Sequence, residues 1–460
     1  MGAGMVCGMI WLYRLLFVPT FLALFPRQLL RMLRRGGYGR DFHHRLGLFP
    51  KLPAKRAGVR RIWLQAVSVG EVNAVVPLVR ELSAKGENEV VLTTTTSTGY
   101  AIARERLGAV ALATGIFPID FLPCSRLAWS RIQPDLVVLM EGELWPEHLR
   151  TAQKRKVPAV LVNARISDRS FRRYTRFPTV AKQLFGALAC AGVGTHEDAR
   201  RLSHLGLPCE KIILTGNLKF DAAAATPTSP PPAATAAPAP ADAEITRDAL
   251  GFGDAPDAPI LLGSSTWPGE EQMLLEVLRQ ARKRDIPLRL LLVPRHAERR
   301  NEIAALLEKT DWHWHLRSKT PDASAASADV CVADTTGELS RLTRLATLAF
   351  IGKSLPPNNG GQSPVDCAAA GVPMVYGPFM SNFREACRNL EADHAALCAC
   401  HAGEAAAALL SLLEDAPQRA SMSKNAKRWH IDNQGATAAT LLMLEKINFA
   451  PPPNEVIQSS

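Results

Sequence analysis

The chain has 460 residues, 47% of them hydrophobic and 21% charged, and a formal net charge of +11. That length exceeds one core of ordinary size and predicts two domains of roughly 200 residues each, and the composition excludes a disordered or fibrous chain. Its nine cysteines are scattered without a framework of pairs, which excludes a disulfide-built scaffold and fits a reducing compartment.

The first element is an apolar run from Met5 to Phe25, broken only by Arg14 and Pro19 and near the length that crosses a bilayer. Behind it, Arg27 to Arg61 holds eleven Lys and Arg against one acid, Asp41, a balance of +10 that leaves the rest of the chain close to neutral. A basic segment alone admits nucleic acid as a partner. Following an apolar helix, it points to an anionic membrane surface and, by the positive-inside rule, keeps the remaining chain in the cytoplasm. A cleaved signal peptide fails, because the charges follow the apolar run and no small-residue cleavage site ends it. Residues 1–35 are therefore expected to be a membrane anchor with the start of the basic collar. Arg14 leaves open whether that helix spans the bilayer or lies in its interface.

Beyond the collar, strands and helices alternate. Ile62 to Val67 reads as a buried strand; Ser68-Val69-Gly70-Glu71 turns the chain, and Val72, Val75, Val76 and Val79 recur at helical spacing. In an open parallel sheet the carboxyl ends of strands face the ligand crevice, so Glu71 is expected at a helix N-terminus looking into a cleft. The plainer reading is that it only complements the helix dipole. Further strands are expected at Glu89 to Thr95, Leu136 to Met140, Val157 to Asn163 and Ala187 to Val193. Each ends in polar or special residues: the Thr93 to Thr98 hydroxyl cluster, Glu141-Gly142-Glu143, Asn163-Ala164-Arg165 and Gly194-Thr195-His196. That is where a doubly wound sheet builds its site. Glu141 and Glu143 either cap the helix that starts near Pro146 or work with Glu71 in acid and base chemistry. The arginines at 165, 169, 172, 173 and 176 form either a solvated face or a contact for phosphorylated headgroups.

Asn217 to Asp221 closes a first domain, 36–221. The stretch 222–245, almost wholly Ala, Pro, Thr and Ser, cannot form a core and marks a linker. A second domain, 246–432, repeats the alternation, with strands at Pro259 to Gly263, Leu288 to Val293, Val330 to Ala333, Leu348 to Ile351 and Pro373 to Tyr376. The loop Asn358 to Asp366 is glycine-rich and opens a helix, an arrangement that gathers free N–H groups toward an anion. Asp366 is placed to accept hydrogen bonds from ribose hydroxyls. Residues 433–447 read as a C-terminal helix and 448–460 as a tail. Cys398-Ala399-Cys400-His401 has the look of a metal clip, but no second ligand pair follows at zinc-site spacing, so no metal is expected.

Seven segments, in order, resemble the signature of the 3-deoxy-D-manno-octulosonic acid (Kdo) transferases of lipopolysaccharide synthesis. They are Ser68 to Glu71, Met140 to Pro146, Asn163 to Arg165, Leu218 to Asp221, Val293 to His296, Gly337 to Leu339 and Asn433 to Gly435. The resemblance runs from the anchor to about residue 447, omitting linker and tail. It implies an α/β fold of GT-B type with two facing Rossmann-like domains, and transfer of Kdo from CMP-Kdo to a lipid A precursor at the cytoplasmic face of the inner membrane, without a metal or other cofactor. By the same resemblance Glu71 matches the base, and Glu141 and Lys219 match positions that stabilise the transition state. Pro294, Arg295, Thr336, Gly337, Glu338, Ser363, Pro364, Val365 and Asp366 match those that hold CMP. Ser68, Gly70 and Arg165 are candidate contacts for an acceptor or donor anion.

The chain departs from that family at Gln362-Ser363-Pro364-Val365-Asp366, where His-Asn-Pro-x-Glu is usual. It also departs at Gly352-Lys353-Ser354, where Gly-Gly-Ser is frequent, and at Trp267, where histidine is common. Two other classes fit the sequence less well. A Rossmann oxidoreductase is disfavoured because no strand leads into Gly-x-Gly-x-x-Gly. A membrane-attached binding protein without catalysis is disfavoured by the joint presence of Glu71, Glu141, Lys219 and Arg295.

Overall fold

The computed structural model describes residues 10–11, 13–23, 26, 39–224, 245–324 and 327–447. The chain divides into two α/β units, Met1–Ala222 with Gln434–Ser460, and Ala223–Asn433. Most of the expected linker, residues 225–244, and the expected tail lie outside the described residues.

In the N-terminal unit seven parallel strands run in the order β3-β2-β1-β4-β5-β6-β7. They are β1 (Arg60–Ala66), β2 (Asn88–Thr94), β3 (Ala113–Ile116), β4 (Leu136–Met140), β5 (Ala159–Ala164), β6 (Cys190–Val193) and β7 (Ile212–Leu214). Every residue of β2, β4, β5 and β6 is buried, as a parallel sheet covered on both faces requires. Alternate residues feed two cores: Ile62, Leu64 and Val138 pack on one face with Val72, Val75 and Val79, while Trp63, Val137 and Leu139 pack on the other with Trp129. Strand order reverses at β1, which pairs with β2 on one side and β4 on the other. That reversal opens a crevice at the carboxyl ends of β1 and β4.

The C-terminal unit has a second seven-stranded sheet, ordered β10-β11-β9-β8-β12-β13-β14. Its strands are β8 (Ile260–Thr266), β9 (Arg289–Pro294), β10 (Trp314–Leu316), β11 (Val330–Val332), β12 (Leu348–Ile351), β13 (Met374–Tyr376) and β14 (Ala396–Cys398). Here the reversal falls at β8, between β9 and β12. Beyond this sheet the helix Ala436–Glu445 returns to the N-terminal unit. It buries Ala436, Met443 and Leu444 in the core of Ile62 and Val72, so the expected C-terminal helix is part of the first unit.

The basic collar is only partly free for a membrane. Arg61 is 2% exposed and bonds the Glu89 carboxylate, while Lys55 pairs with Asp135 and Arg45 bonds the carbonyl of Phe117. These three cations hold the unit together. The arginines at 27, 31, 34 and 35 lie outside the described residues, as does much of the expected anchor. Among the described residues no helix is long and apolar enough to cross a membrane. Residues 13–23 are helical and docked on the N-terminal unit. Arg14 forms a two-pronged ion pair with the buried Glu147, the Tyr13 hydroxyl donates to Asp120 Oδ2 at 2.8 Å, and Phe17 stacks on Phe121.

Candidate functional site

Glu71 lies in the first turn of the helix Val69–Ala84, at the carboxyl end of β1. Its carboxylate accepts from the Val67 N–H at 2.9 Å and from the Ser68 hydroxyl at 3.1 Å. Both bonds tie the side chain to the turn that precedes its helix, whose own first N–H groups receive no side-chain cap. It is also 8% exposed, and burial, reinforced by the charge of Glu141, pushes its pKa up to about 7 against the opposing hydrogen bonds. A carboxyl poised there exchanges a proton near neutral pH.

Glu141 follows β4 with a left-handed backbone, φ 54°, stitched by its N–H to the Val162 carbonyl and by its carbonyl to the Arg165 N–H. Its Oε1 accepts from Lys219 Nζ at 2.7 Å. Burial would raise this carboxyl, but the Lys219 charge and hydrogen bond, with Arg165, hold it below the ordinary range. Glu143, half-buried, is raised by that burial and by the Glu141 charge. Lys219 is delivered by the helix Leu218–Ala224, whose start is fixed when Asn163 Oδ1, at φ 51°, accepts the Leu218 N–H. Glu71, Glu141 and Lys219 therefore converge on the crevice of the first sheet. Ser68 and Arg165 flank them, half-buried, and Gly70 is exposed.

In the C-terminal unit the expected nucleotide residues come from three strand ends of one sheet. Pro294 ends β9, and the exposed Arg295 is tied by its N–H to the Thr266 carbonyl at the end of β8. After β11, Gly337 at φ 89° turns the loop and leaves Thr336 exposed. The Glu338 carboxylate is held by Arg317 at 2.9 and 3.0 Å and by the Thr335 hydroxyl. Burial opposes its ionisation, yet these donors keep it below the usual range. Ser363 Oγ accepts from the Val365 N–H, Pro364 and Val365 are buried, and Asp366 stands in the first turn of the helix Val365–Ala370.

One residue that positions this half was not singled out from sequence. Glu270, 2% exposed, accepts from the backbone N–H groups of Trp267, Lys353 and Ser354 and so binds the loop after β8 to the loop after β12. Its only local signal is an acid in the first turn after Trp267-Pro268-Gly269. At the former metal candidate, Cys398 and Cys400 are exposed and His401 Nδ1 accepts the Glu404 N–H as a helix cap. Among the described residues no group of three or more His, Cys, Asp or Glu is gathered to hold a metal ion.

The family model of 3-deoxy-D-manno-octulosonic-acid transferases matches residues 40–222. A 3-deoxy-D-manno-octulosonic acid transferase of Bordetella pertussis is 34% identical over 86% of this chain and 91% of its own length. One from Haemophilus influenzae is 32% identical, over 72% of this chain and 73% of its own. Among solved structures, UDP-GlcNAc 2-epimerase from Neisseria meningitidis superposes with a TM-score of 0.55 over 84% of this chain and 99% of that chain; at 13% identity it shows only that the two-sheet fold is of GT-B-like kind. With the Glu71, Glu141 and Lys219 crevice inside the matched region and a third of all positions shared along nearly the whole of a relative, the chain belongs to the Kdo transferase family.

Proposed function

We propose that this Kdo transferase moves Kdo from CMP-Kdo to a hydroxyl of the lipid A precursor by direct displacement, with Glu71 as the base. The acceptor oxygen attacks the anomeric carbon and its proton passes to the Glu71 carboxylate. The bond from that carbon to the CMP phosphate oxygen breaks, and its electron pair leaves with CMP. Lys219, fixed by Glu141, supplies positive charge near the reacting groups, and Arg295 with the Thr336-Gly337-Glu338 and Ser363 to Asp366 loops holds the nucleotide. Preorganised cations of this kind act where negative charge builds on a leaving group. The observation that carries the reading is the buried Glu71 carboxyl at the carboxyl end of β1, facing the charge of Glu141, which Lys219 pairs. Replacing it by Ala is expected to lower turnover about 10²- to 10⁴-fold while CMP binding persists. Turnover at the wild-type rate would remove Glu71 as the base.

In the same reading the enzyme works at the cytoplasmic face of the inner membrane, with residues 13–23 lying in the lipid interface. Trp11, Leu15, Val18 and Leu22 are 60%, 73%, 45% and 64% exposed and recur every three or four residues along one side of the helix. Tyr13, Arg14 and Phe17 are engaged with the protein. An amphiphilic acceptor reaches an enzyme so placed without leaving the bilayer.

A further inference from the structure

The two strand ends that flank the reversal of the second sheet carry an aromatic side chain and a cation in direct contact. Trp267 follows β8 and Lys353 follows β12, and the ammonium of Lys353 sits 4.6 Å from the centre of the indole. Glu270 fixes both, since its carboxylate takes the N–H of each residue. The Trp267 ring meets the edge of His296, at 5.5 Å, on the Arg295 loop. The glycine loop closes over the other side: Gly361 N–H donates to the Lys353 carbonyl at 3.0 Å, and a β-carbon on Gly360 would lie 3.7 Å from Lys353 Nζ.

Three features mark Lys353 as more than filler. Its backbone is left-handed at φ 60°, a conformation that glycine adopts without strain and a lysine does not. Its ammonium makes no hydrogen bond or ion pair among the described residues, and the indole below it is its one contact of that kind. The indole's own Nε1 is buried without a partner. An aromatic face orients a cation and leaves its donors unspent, whereas a carboxylate would neutralise it. The crevice at a strand-order reversal is where sheets of this kind bind nucleotides.

We infer that Lys353, oriented by Trp267, is a donor-specificity residue that contacts an oxyanion of the nucleotide sugar, either its phosphate or the carboxylate of its sugar. The inference rests on the proposed use of CMP-Kdo by this site. Lys353 supplies charge to a donor that carries both anions, and the adjacent glycine loop brings backbone toward the same place.

The test compares Lys353→Gly, which the backbone conformation favours, and Trp267→His with the wild-type full chain, each checked for an unchanged melting transition. CMP and cytidine binding are measured by calorimetry, and KM for CMP-Kdo and for the lipid acceptor by initial rates. A charge-assisted contact predicts a loss of about ten- to a hundredfold for Lys353→Gly, and a smaller loss in the same direction for Trp267→His. If the phosphate is the ligand, CMP binding weakens and cytidine binding does not. If the sugar carboxylate is the ligand, CMP binding holds while the KM for CMP-Kdo rises and that for the acceptor stays. Unchanged CMP affinity together with an unchanged donor KM in Lys353→Gly overturns the inference and leaves Kdo transfer intact. Failure of the wild-type chain to bind CMP or transfer Kdo would instead overturn the function on which the inference rests.

Discussion

Glu71 carries two burdens that pull against each other, and their balance has a sign. Burial first, and the Glu141 charge second, lift its pKa to about 7 from the 4.5 of a free glutamate. In the proposed role of base it must be ionised, so kcat/KM is expected to rise with pH up to about 7 and to level above it. Replacing Glu141 by Gln removes the second cause and should move that rise to lower pH. The rise should stay above the ordinary carboxylate range, because burial remains; a limb that does not move would uncouple the two residues. Stability runs the other way. A folded pKa above the unfolded one gives stability that is full below 4.5 and lost as pH climbs through 7. The place of Glu71 was legible from strand, turn and helix alone. The ion pair of Lys219 with Glu141 was not, since it joins residues 78 apart in the chain and leaves no local pattern. The resemblance to a family supplied what spacing could not.

Elements were legible in proportion to their burial. The inner strands β1, β2, β4, β5, β6, β8, β9, β11, β12 and β13 announced themselves as apolar runs because both faces are covered. The four strands that no run betrayed, β3, β7, β10 and β14, are the four edges of the two sheets. Each has only three or four residues and is part-exposed, so each is too short to show the period of a strand. The last helix illustrates a different limit. Asp221, at the end of the segment that delivers Lys219, accepts the N–H groups of Gly435 and Thr437 and so caps Ala436–Glu445 from more than 200 residues away. That cap joins two signature segments, Leu218 to Asp221 and Asn433 to Gly435, in one contact. Replacing Asp221 by Ala leaves two N–H groups without their acceptor and is expected to cost about 1–3 kcal/mol. Hydrogen exchange should quicken across 436–445 before it does in the inner strands of the first sheet. Exchange unchanged in that helix would show that its apolar face, Ala436, Met443 and Leu444, holds it without the cap.

For the molecule as a whole the proposed lipid acceptor raises the question of how a folded enzyme meets it. A helix that spans the bilayer with Arg14 at its middle would place a cation where it costs about 2.5–3.5 kcal/mol or more. It would also separate Arg14 from Glu147, a carboxylate that is 1% exposed and belongs to the folded helix Pro146–Arg155. Stranding Glu147 without its partner is itself costly. An interfacial helix keeps the pair and buries Trp11, Leu15, Val18 and Leu22 in the acyl boundary. Two consequences distinguish the arrangements in the full chain. Leu15→Glu with Leu22→Glu should release the protein from vesicles that contain anionic lipid, while turnover on a detergent-dispersed acceptor survives. An epitope fused ahead of Met1 should be cleaved by protease added on the side of the membrane that bears the folded units. Were the epitope protected until the membrane is opened, the helix would span, the Arg14 to Glu147 pair would have to break, and the interfacial placement would fall with it.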